Sequence, residues 1–598
     1  MTCRRSIALW GCVSAVIAHG LAGQVTALPR YGPLEVSGNV SAQQLFRSPD
    51  PGVWGLVQQR NTVKLRVDYN LLERGKLAGQ LDIPGIERAK LFLLYRGVYD
   101  SVYDLTPGFE QTDIYGLPIG LRLRHLPRRT LDALRFENRL REAYLDIKLA
   151  HLPLSFRLGR QQIVWGETDN FRLLDRVNPL DLTWHLQQET WDELRVPQWI
   201  IKGLWDIDRI GPLGNAFVEF YWNPGDWNPG KKAFLPRPWS APIVNPLDDP
   251  RSPPEGGRGL FQLLSRFYNR PITKLYRDTR LFQQGDYTRN PADNSQVGVR
   301  FSAVTGPELP LVPEGVQFTL NYFYQRWAGD DGTNAASFRA VLDQREALEA
   351  VRRGEAPIEA IAPYIHVAGF SLNYAEEKYT QTVYRVESVY EFGVPFLDTS
   401  KSFNPFSPFA LLANDVYGVS KRDMWKGMIG FDRPTWIRPL NRKATFLILG
   451  QFFWHYLLDN PDIQCRDPQE RPPCARSGQG KGFRGQFSTS GVATAGAPGQ
   501  LAYIDKVRDW ELLATLAATT FYRGGKIVPF LIYIIDPVNS YNQEVIGLLD
   551  YFITNNVIFS LSQRFFINTT SRPVFEAWGV AGLNRGRTET GVKLTVQF

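Results

Sequence analysis

The chain ends in Thr590-Gly-Val-Lys-Leu-Thr-Val-Gln-Phe598, and nothing else in its 598 residues constrains the fold as strongly. Thr590, Val592, Leu594, Val596 and Phe598 fall on one face of a strand, and Gly591, Lys593, Thr595 and Gln597 on the other. One face suits lipid and the other suits water. A lipid-facing strand must have every backbone group paired within the protein, which strands achieve only as a closed barrel. The rest of the chain is therefore expected to supply the remaining strands.

The first residues fit export. Arg4 and Arg5 precede an apolar run from Ile7 to Ala22, followed by small residues, with Val25-Thr26-Ala27 the expected cleavage triplet and Gly20 to Gly23 a second choice. Residues 1–27 thus read as a secretory signal peptide and 28–598 as the barrel. A membrane anchor is the alternative, but the run is short for a span and contains His19 and several glycines. No later uncharged apolar stretch reaches spanning length, and the mean hydropathy is −0.25, so a helical membrane protein is not expected.

Composition narrows the class further. The net charge of +8 comes from 68 basic and 60 acidic residues dispersed along the chain, which argues against a nucleic-acid partner. Aromatic residues make up 13%, as interfacial girdles would require. Cys3 and Cys12 leave with the signal peptide. Cys465 and Cys474 then read as a local disulfide, worth about 2–3 kcal/mol by loop-closure reasoning. A metal site is the alternative there, although no His or further Cys lies close in sequence.

Alternation of strand length recurs throughout. The clearest stretches are Thr62 to Leu72, Glu142 to Ala150, Leu154 to Gln161, Gln296 to Ala303, Val316 to Gln325, Thr380 to Glu391, Ala444 to Tyr456, Trp510 to Tyr522, Val557 to Phe566 and Thr588 to Phe598. Weaker ones are Leu34 to Ala42, Ala89 to Val98, Pro197 to Asp206, Ala216 to Trp222, Ile365 to Tyr374, Met424 to Phe431, Ile527 to Ile535 and Val545 to Ile553. The expectation is an all-β transmembrane antiparallel barrel of about 18 strands, 16 being the alternative, with long extracellular loops. Short connections such as His151-Leu-Pro153, Arg523-Gly-Gly525 and Thr554-Asn-Asn556 alternate with long ones such as Asn223 to Ser295 and Leu457 to Asp509. Glu73 to Arg88 is long for a turn. Ser337 to Arg353 and Thr130 to Arg141 have helix-forming composition.

Strand parity nominates the inward side chains. Lys64, Arg66, Asp68 and Asn70 are set against Val63, Leu65, Val67 and Tyr69, and the same rule turns Asp146, Lys148, Arg157, Gln161, Arg300, Gln317, Asn321, Arg385, Glu387, Lys593 and Gln597 inward. These groups either line a solute path or pair across strands to stiffen the wall. Their mixed sign argues against a dedicated phosphate-type channel. The densest polar run is Phe156 to Glu167, followed by Asp169, Asn170, Arg172, Asp175, Arg176 and Asp181. Strict alternation aims Arg160 at lipid, so a bulge near Gly159 is expected to turn it inward. The run after Trp165 leaves the strand and is a candidate to fold into the pore, which makes Arg160, Gln161, Glu167, Asp169 and Arg172 constriction candidates.

"LGRQ" at Leu158 to Gln161, "WGE" at Trp165 to Glu167 and "NPLD" at Asn178 to Asp181, together with the barrel-type ending, resemble a large family of proteobacterial outer-membrane proteins catalogued as domain of unknown function 1302. The final strand also resembles the closing strand of bacterial outer-membrane barrels, which implies that Phe598 belongs to the signal read by the barrel assembly machinery. Members of the family are often encoded beside exporters of the resistance-nodulation-division type and a periplasmic partner. That resemblance implies movement of hydrophobic or lipid-like compounds, with an inner-membrane exporter and a periplasmic carrier as partners.

Three functions follow as expectations for a protein of a Gram-negative outer membrane, embedded in its lipid. They are a solute channel, a component of a lipid or hydrophobic-compound transport system, and a filled barrel acting as adhesin or scaffold. Enzymatic motifs are missing: there is no Gly-x-Ser-x-Gly or His-Glu-x-x-His, and Gly478-Gln-Gly-Lys-Gly482 lacks the spacing of a phosphate loop. His366 with Ser371 is the only loose pairing of a kind that a surface phospholipase would need. No cofactor is expected.

Overall fold

The computed structural model describes residues 32–48, 55–77, 80–105, 132, 135–169, 171–182, 189–227, 231–232, 282–284, 291–309, 313–327, 337–340, 358–398, 419–460, 487–488, 509–538, 541–567 and 588–598. Among them, eighteen long strands run antiparallel in chain order: β1 (Leu34–Ser48), β2 (Gly55–Glu73), β3 (Ile86–Asp100), β4 (Phe136–Leu149), β5 (Leu154–Gln161), β6 (Gln198–Ile210), β7 (Leu213–Asn223), β8 (Gln296–Thr305) and β9 (Gln317–Arg326). They continue as β10 (Tyr364–Glu376), β11 (Thr382–Asp398), β12 (Val419–Thr435), β13 (Phe446–Leu457), β14 (Trp510–Thr519), β15 (Ile527–Ile535), β16 (Gln543–Phe552), β17 (Val557–Ile567) and β18 (Thr588–Gln597). β18 pairs with β1 from Asn39↔Gln597 to Ser48↔Thr588, so the sheet closes and leaves no edge along that seam. Phe598 extends the seam, exchanging backbone hydrogen bonds of 2.9 and 3.0 Å with Gly38.

The expected alternation holds around the cylinder. Val63, Leu65, Leu320, Phe370, Ile429, Phe452, Leu531 and Phe565 are exposed on the outer surface, while Asp68, Arg96, Glu219, Asn321, Glu387, Lys426 and Arg564 are buried inside. Near the end that carries the long connections, aromatic rings collect on the outer face. Tyr324 stacks on Tyr364 at 4.8 Å and Tyr456 lies 4.5 Å from Trp510, with Trp199 and Trp222 also exposed there. The arrangement is that of an outer-membrane β-barrel: an apolar exterior with an aromatic belt, a polar interior and closed backbone pairing.

Connections are short at the opposite end, as at Gly211-Pro212 between β6 and β7. The long one between β2 and β3 folds into a small hairpin, Lys76–Leu77 pairing with Leu81–Asp82. Two expected helices are corrected. In the stretch from Thr130 to Arg141, Asp132 and Arg135 are helical, but Phe136 to Arg141 belongs to β4, because Glu137 and Arg139 alternate with Phe136, Asn138 and Leu140 and these residues pair with β3 up to a register shift at Arg141. Ser337–Ala340 is a strand paired with Ile358–Ile361, and the rest of the stretch to Arg353 lies outside the described residues. Single helical turns occur at α1 (Val102–Leu105) and α2 (Trp191–Leu194).

Candidate functional site

β5 stops at Gln161, and the chain does not return to the wall until Gln198. The described residues between them, 162–169, 171–182 and 189–197, turn into the lumen. Asn178 closes the base of this insertion: its side-chain oxygen accepts from the Ile163 N–H at 2.8 Å, and its nitrogen donates to the carbonyls of Gln161 and Val196 at 3.2 and 3.0 Å. The tip folds on itself. A Cβ at Gly166 would sit 2.7 Å from the Asp175 nitrogen, so glycine permits that crossing. Arg195 donates to the Asp175 carboxylate at 2.6 and 3.0 Å, and Arg172 donates to the carbonyls of Asp175 and Asn178. These internal bonds make the insertion a shaped body rather than a loose loop.

Its first leg is apolar. Ile163, Trp165, Leu173, Leu174 and Val177 are buried in one cluster with the inward residues Ile200, Tyr221, Phe323, Val367, Met428, Phe453, Leu513 and Ile532. Trp165 lies 5.1 Å from Phe323 and 5.4 Å from Tyr221, and its indole donates to Glu219 at 2.6 Å. Leu174 seats over Gly369, where a Cβ would approach it to 2.9 Å. β11 supplies the polar anchors on this side. The Glu387 carboxylate accepts from the backbone N–H groups of Glu167, at 2.7 Å, and Leu174. Arg385 bridges Asp169 and Asp432 at 2.6 Å each, and Arg176 pairs with Glu391, which also binds Lys426.

The returning leg carries acids to the opposite wall. Glu189 pairs with Arg60, and Glu193 of α2 pairs with Lys64 and, at 2.6 Å, with Arg96. Arg96 is held in turn by both oxygens of Glu137 at 2.8 Å, and Arg141 donates to the carbonyls of Asp192 and Arg195. Burial opposes ionisation of Glu193, but the charges of Lys64 and Arg96 outweigh it and hold this carboxyl down at about 2. Glu189 is likewise lowered against its burial, by Arg60 and Lys593.

The structure places the nominated residues as follows. Lys64, Arg66, Asp68, Asp146, Lys148, Arg157 and Lys593 face inward on β2, β4, β5 and β18, and several are paired across strands: Arg157 with Asp146 at 2.6 Å, Lys148 with Glu87 at 2.9 Å, and Asp68 with Lys90 at 2.6 Å, Asp68 also pairing with Arg66 of its own strand. Arg300 reaches Glu219 at 3.4 Å and lies over Trp165. Gln161 is buried at the root of the insertion, while Glu167, Asp169 and Arg172 sit within its tip, next to Arg385 and Glu387. Arg160 differs. The register from Ala143↔Arg160 to Lys148↔Ser155 is unbroken, so no bulge forms, and Arg160 shares the outer face with its partner Trp199. It sits one residue from the strand's end, where its guanidinium reaches the Pro197 carbonyl and the mid-membrane cost of a charge does not arise. Cys465 and Cys474 lie outside the described residues, as does the signal peptide. His366 bonds Tyr322 on the outer face while Ser371 bonds Thr319 inside, so that pair does not come together.

Sequence reasoning passed over the returning leg and its receivers, Arg60 and Arg96, as well as Glu219 and Glu391. The available signal was the acid-rich Glu189 to Glu193, opposite in sign to Arg60, Lys64 and Arg96 on inward positions.

Comparison with known proteins gives a family and a set of distant barrels. A family model described as "Protein of unknown function (DUF1302)" matches residues 60–529. No curated protein matches the sequence. Among solved structures, a BenF-like porin from Pseudomonas fluorescens Pf-5 is 8% identical with a TM-score of 0.40, covering 94% of this chain and 98% of its own. OccAB1 of Acinetobacter baumannii is 6% identical with a TM-score of 0.40, covering 96% and 99%. OpdK of Pseudomonas aeruginosa, solved with vanillate, is 6% identical with a TM-score of 0.39, covering 94% and 98%.

Proposed function

Since the chain belongs to the DUF1302 family of proteins of unknown function, we propose on physical grounds that it is a porin-like channel of the outer membrane, narrowed by its own insertion. One observation carries this reading: described residues between Gln161 and Gln198 reach both sides of the lumen, Glu167 and Phe171 anchored to β11 and β13, and Glu189 and Glu193 to β2 and β3. A barrel meant only as a scaffold has no need of a shaped internal body with charged contacts on its far side. The mixed-sign interior supports passage of polar solutes without a fixed charge filter. Phe598, paired to Gly38, serves in this reading as the assembly signal. Purified protein in planar bilayers tests it. Stepwise current is expected, and silence both in the native protein and in a variant whose residues 162–197 are replaced by a short Gly/Ser linker would refute it.

A second reading has its own support. Inward positions on β13 to β15 include Phe453, Leu513, Ala517, Phe530, Ile532 and Ile534, an apolar strip that suits hydrophobic or lipid-like cargo handed on by a periplasmic carrier and an inner-membrane exporter. Lipid co-purifying in fixed stoichiometry would favour it.

A further inference from the structure

The insertion does not meet the wall in the same way all round. From β6 to β15 its contact centres on an apolar seal, in which Phe323, Val367 and Phe453 are wholly buried and Val389 nearly so, pinned by the ion pairs Asp169–Arg385 and Arg176–Glu391 and by Glu387. Toward β2 and β3 its contact is made by ion pairs. Along the inner face of β2 the side-chain exposure falls from 52% at Arg66 to 26% at Lys64 and 4% at Arg60, so an open vestibule closes where Glu193 and Glu189 land. The vestibule continues on the neighbouring strands. Lys90 and Lys148 are 37% and 51% exposed, and Leu548 on β16 faces the same space, 38% exposed.

We propose that solute takes one side of the barrel only, along β1–β5 and β16–β18, and that the pairs joining Glu189 and Glu193 to Arg60, Lys64 and Arg96 are the gate in that path. This rests on the channel reading above. The physical difference between the two sides decides the route. A hydrated solute can cross the apolar seal only by prising Trp165, Leu173 and Leu174 off their neighbours and wetting both surfaces. Ion pairs exchange partners, because water, salt and a passing ion can each replace one member. Arg96 stays bound to Glu137 when Glu193 leaves, so the wall side of the gate keeps its shape while the arm moves. Opening uncovers Arg60, Lys64 and Arg96, so the gate admits a solute whose carboxylate or phosphate takes the place of the arm's acids.

Two measurements on the full-length protein in planar bilayers decide this. The double variant Glu189→Gln, Glu193→Gln is expected to raise open probability on the order of tenfold, the factor corresponding to about 1.4 kcal/mol. A cationic methanethiosulfonate reagent is expected to cut the current through Lys90→Cys on the vestibule side, and to leave that through Ala517→Cys on the sealed side unchanged. The unsubstituted protein, with Cys465 and Cys474, is the control. Equal block at both positions, or unchanged gating in the double variant while the linker variant conducts, overturns the one-sided path and leaves the channel intact. No current in any form, the linker variant included, overturns the channel reading and this proposal with it.

Discussion

The two halves of the lumen wall obey one parity rule and carry opposite chemistry. On β6 to β15 many inward positions hold Ile200, Phe323, Val367, Met428, Phe453 and Ile532; on β1 to β5 and β16 to β18 many hold Arg60, Lys64, Arg96, Asp146, Arg157, Asp550 and Lys593. Inward does not mean wet in this barrel. The insertion supplies a mainly apolar surface to the first half, pinned by Asp169 and Arg176, and an acidic one to the second, and each half of the wall matches the leg that it receives. β15 shows the consequence in one line: IVPFLIYII is apolar on both faces, one turned to lipid and the other to the insertion.

That contrast breaks if the two halves respond alike to truncation. Trp165→Ala removes the centre of the apolar seal and leaves Glu219 without its indole donor, so a loss of about 3–5 kcal/mol is expected from the cavity alone. Denaturant-induced unfolding in detergent, read by the loss of heat-modifiable mobility, measures it. Lys64→Met on the charged side is expected to cost at most about 1 kcal/mol. Equal losses would mean that the seal and the gate are not different kinds of contact.

Glu387→Leu probes the polar anchor inside the seal. Two backbone N–H groups, of Glu167 and Leu174, lose their acceptor, at about 1–3 kcal/mol for each one left buried and unpaired. Glu387→Gln keeps an acceptor and should recover part of the loss. Limited proteolysis within residues 162–197 reports release of the tip, and the sequence Leu, Gln, native in order of decreasing cleavage is the expected result. Gly369→Ala acts from the other side, bringing a methyl group to 2.5 Å from the Ser388 carbonyl oxygen and 2.9 Å from Leu174, and overpacking of this kind costs about 1–3 kcal/mol.

How much of this was legible follows from where the period-two signal is strong. All eighteen strands are readable because outer positions must be apolar across the membrane and inner ones need not be. Strand ends are less legible where the register shifts: β4 skips Arg141 opposite Leu94 and Tyr95, so its inward set changes from Glu137 and Arg139 to Glu142 and Asp146, and one parity does not carry through the strand. The insertion announced itself by its charge density, but its fit did not. Glu387 contacts Glu167 across 220 residues, and Arg60 contacts Glu189 across 129, separations at which no local pattern speaks. Arg60 also precedes Thr62, where the alternation begins, so parity does not nominate it.

Acid sharpens the comparison further through the carboxylate that joins the arm to β2 and β3. The Glu193 carboxyl sits at about 2 in the folded protein against an ordinary value of 4.5. A lowered value means that the arm's attachment is complete above about pH 4.5 and is lost as pH falls toward 2. Open probability in bilayers is expected to rise over that interval; Glu219, Asp169, Glu387 and Glu391 hold the insertion on the other side, so Glu193→Gln isolates the Glu193 contribution. In Glu193→Gln the lower part of the rise should vanish. A flat profile in the native protein would detach the gate from its carboxylates.

The smallest effect is expected far from both halves. Arg209 and Glu308 form an ion pair of 3.0 Å on the short-turn end, 65% and 60% exposed, with geometry no worse than that of the pairs inside. Water and salt compete with it on every side, so Arg209→Ala should change stability by about 0–1 kcal/mol and leave open probability unaltered. The pair at Lys64 differs in one respect: it joins two bodies that can separate, so a similar energy sets the position of an arm instead of the shape of a turn. If Arg209→Ala altered gating as Glu193→Gln is expected to, charge anywhere on the barrel would tune the channel, and the location of the Glu193 contact would explain nothing.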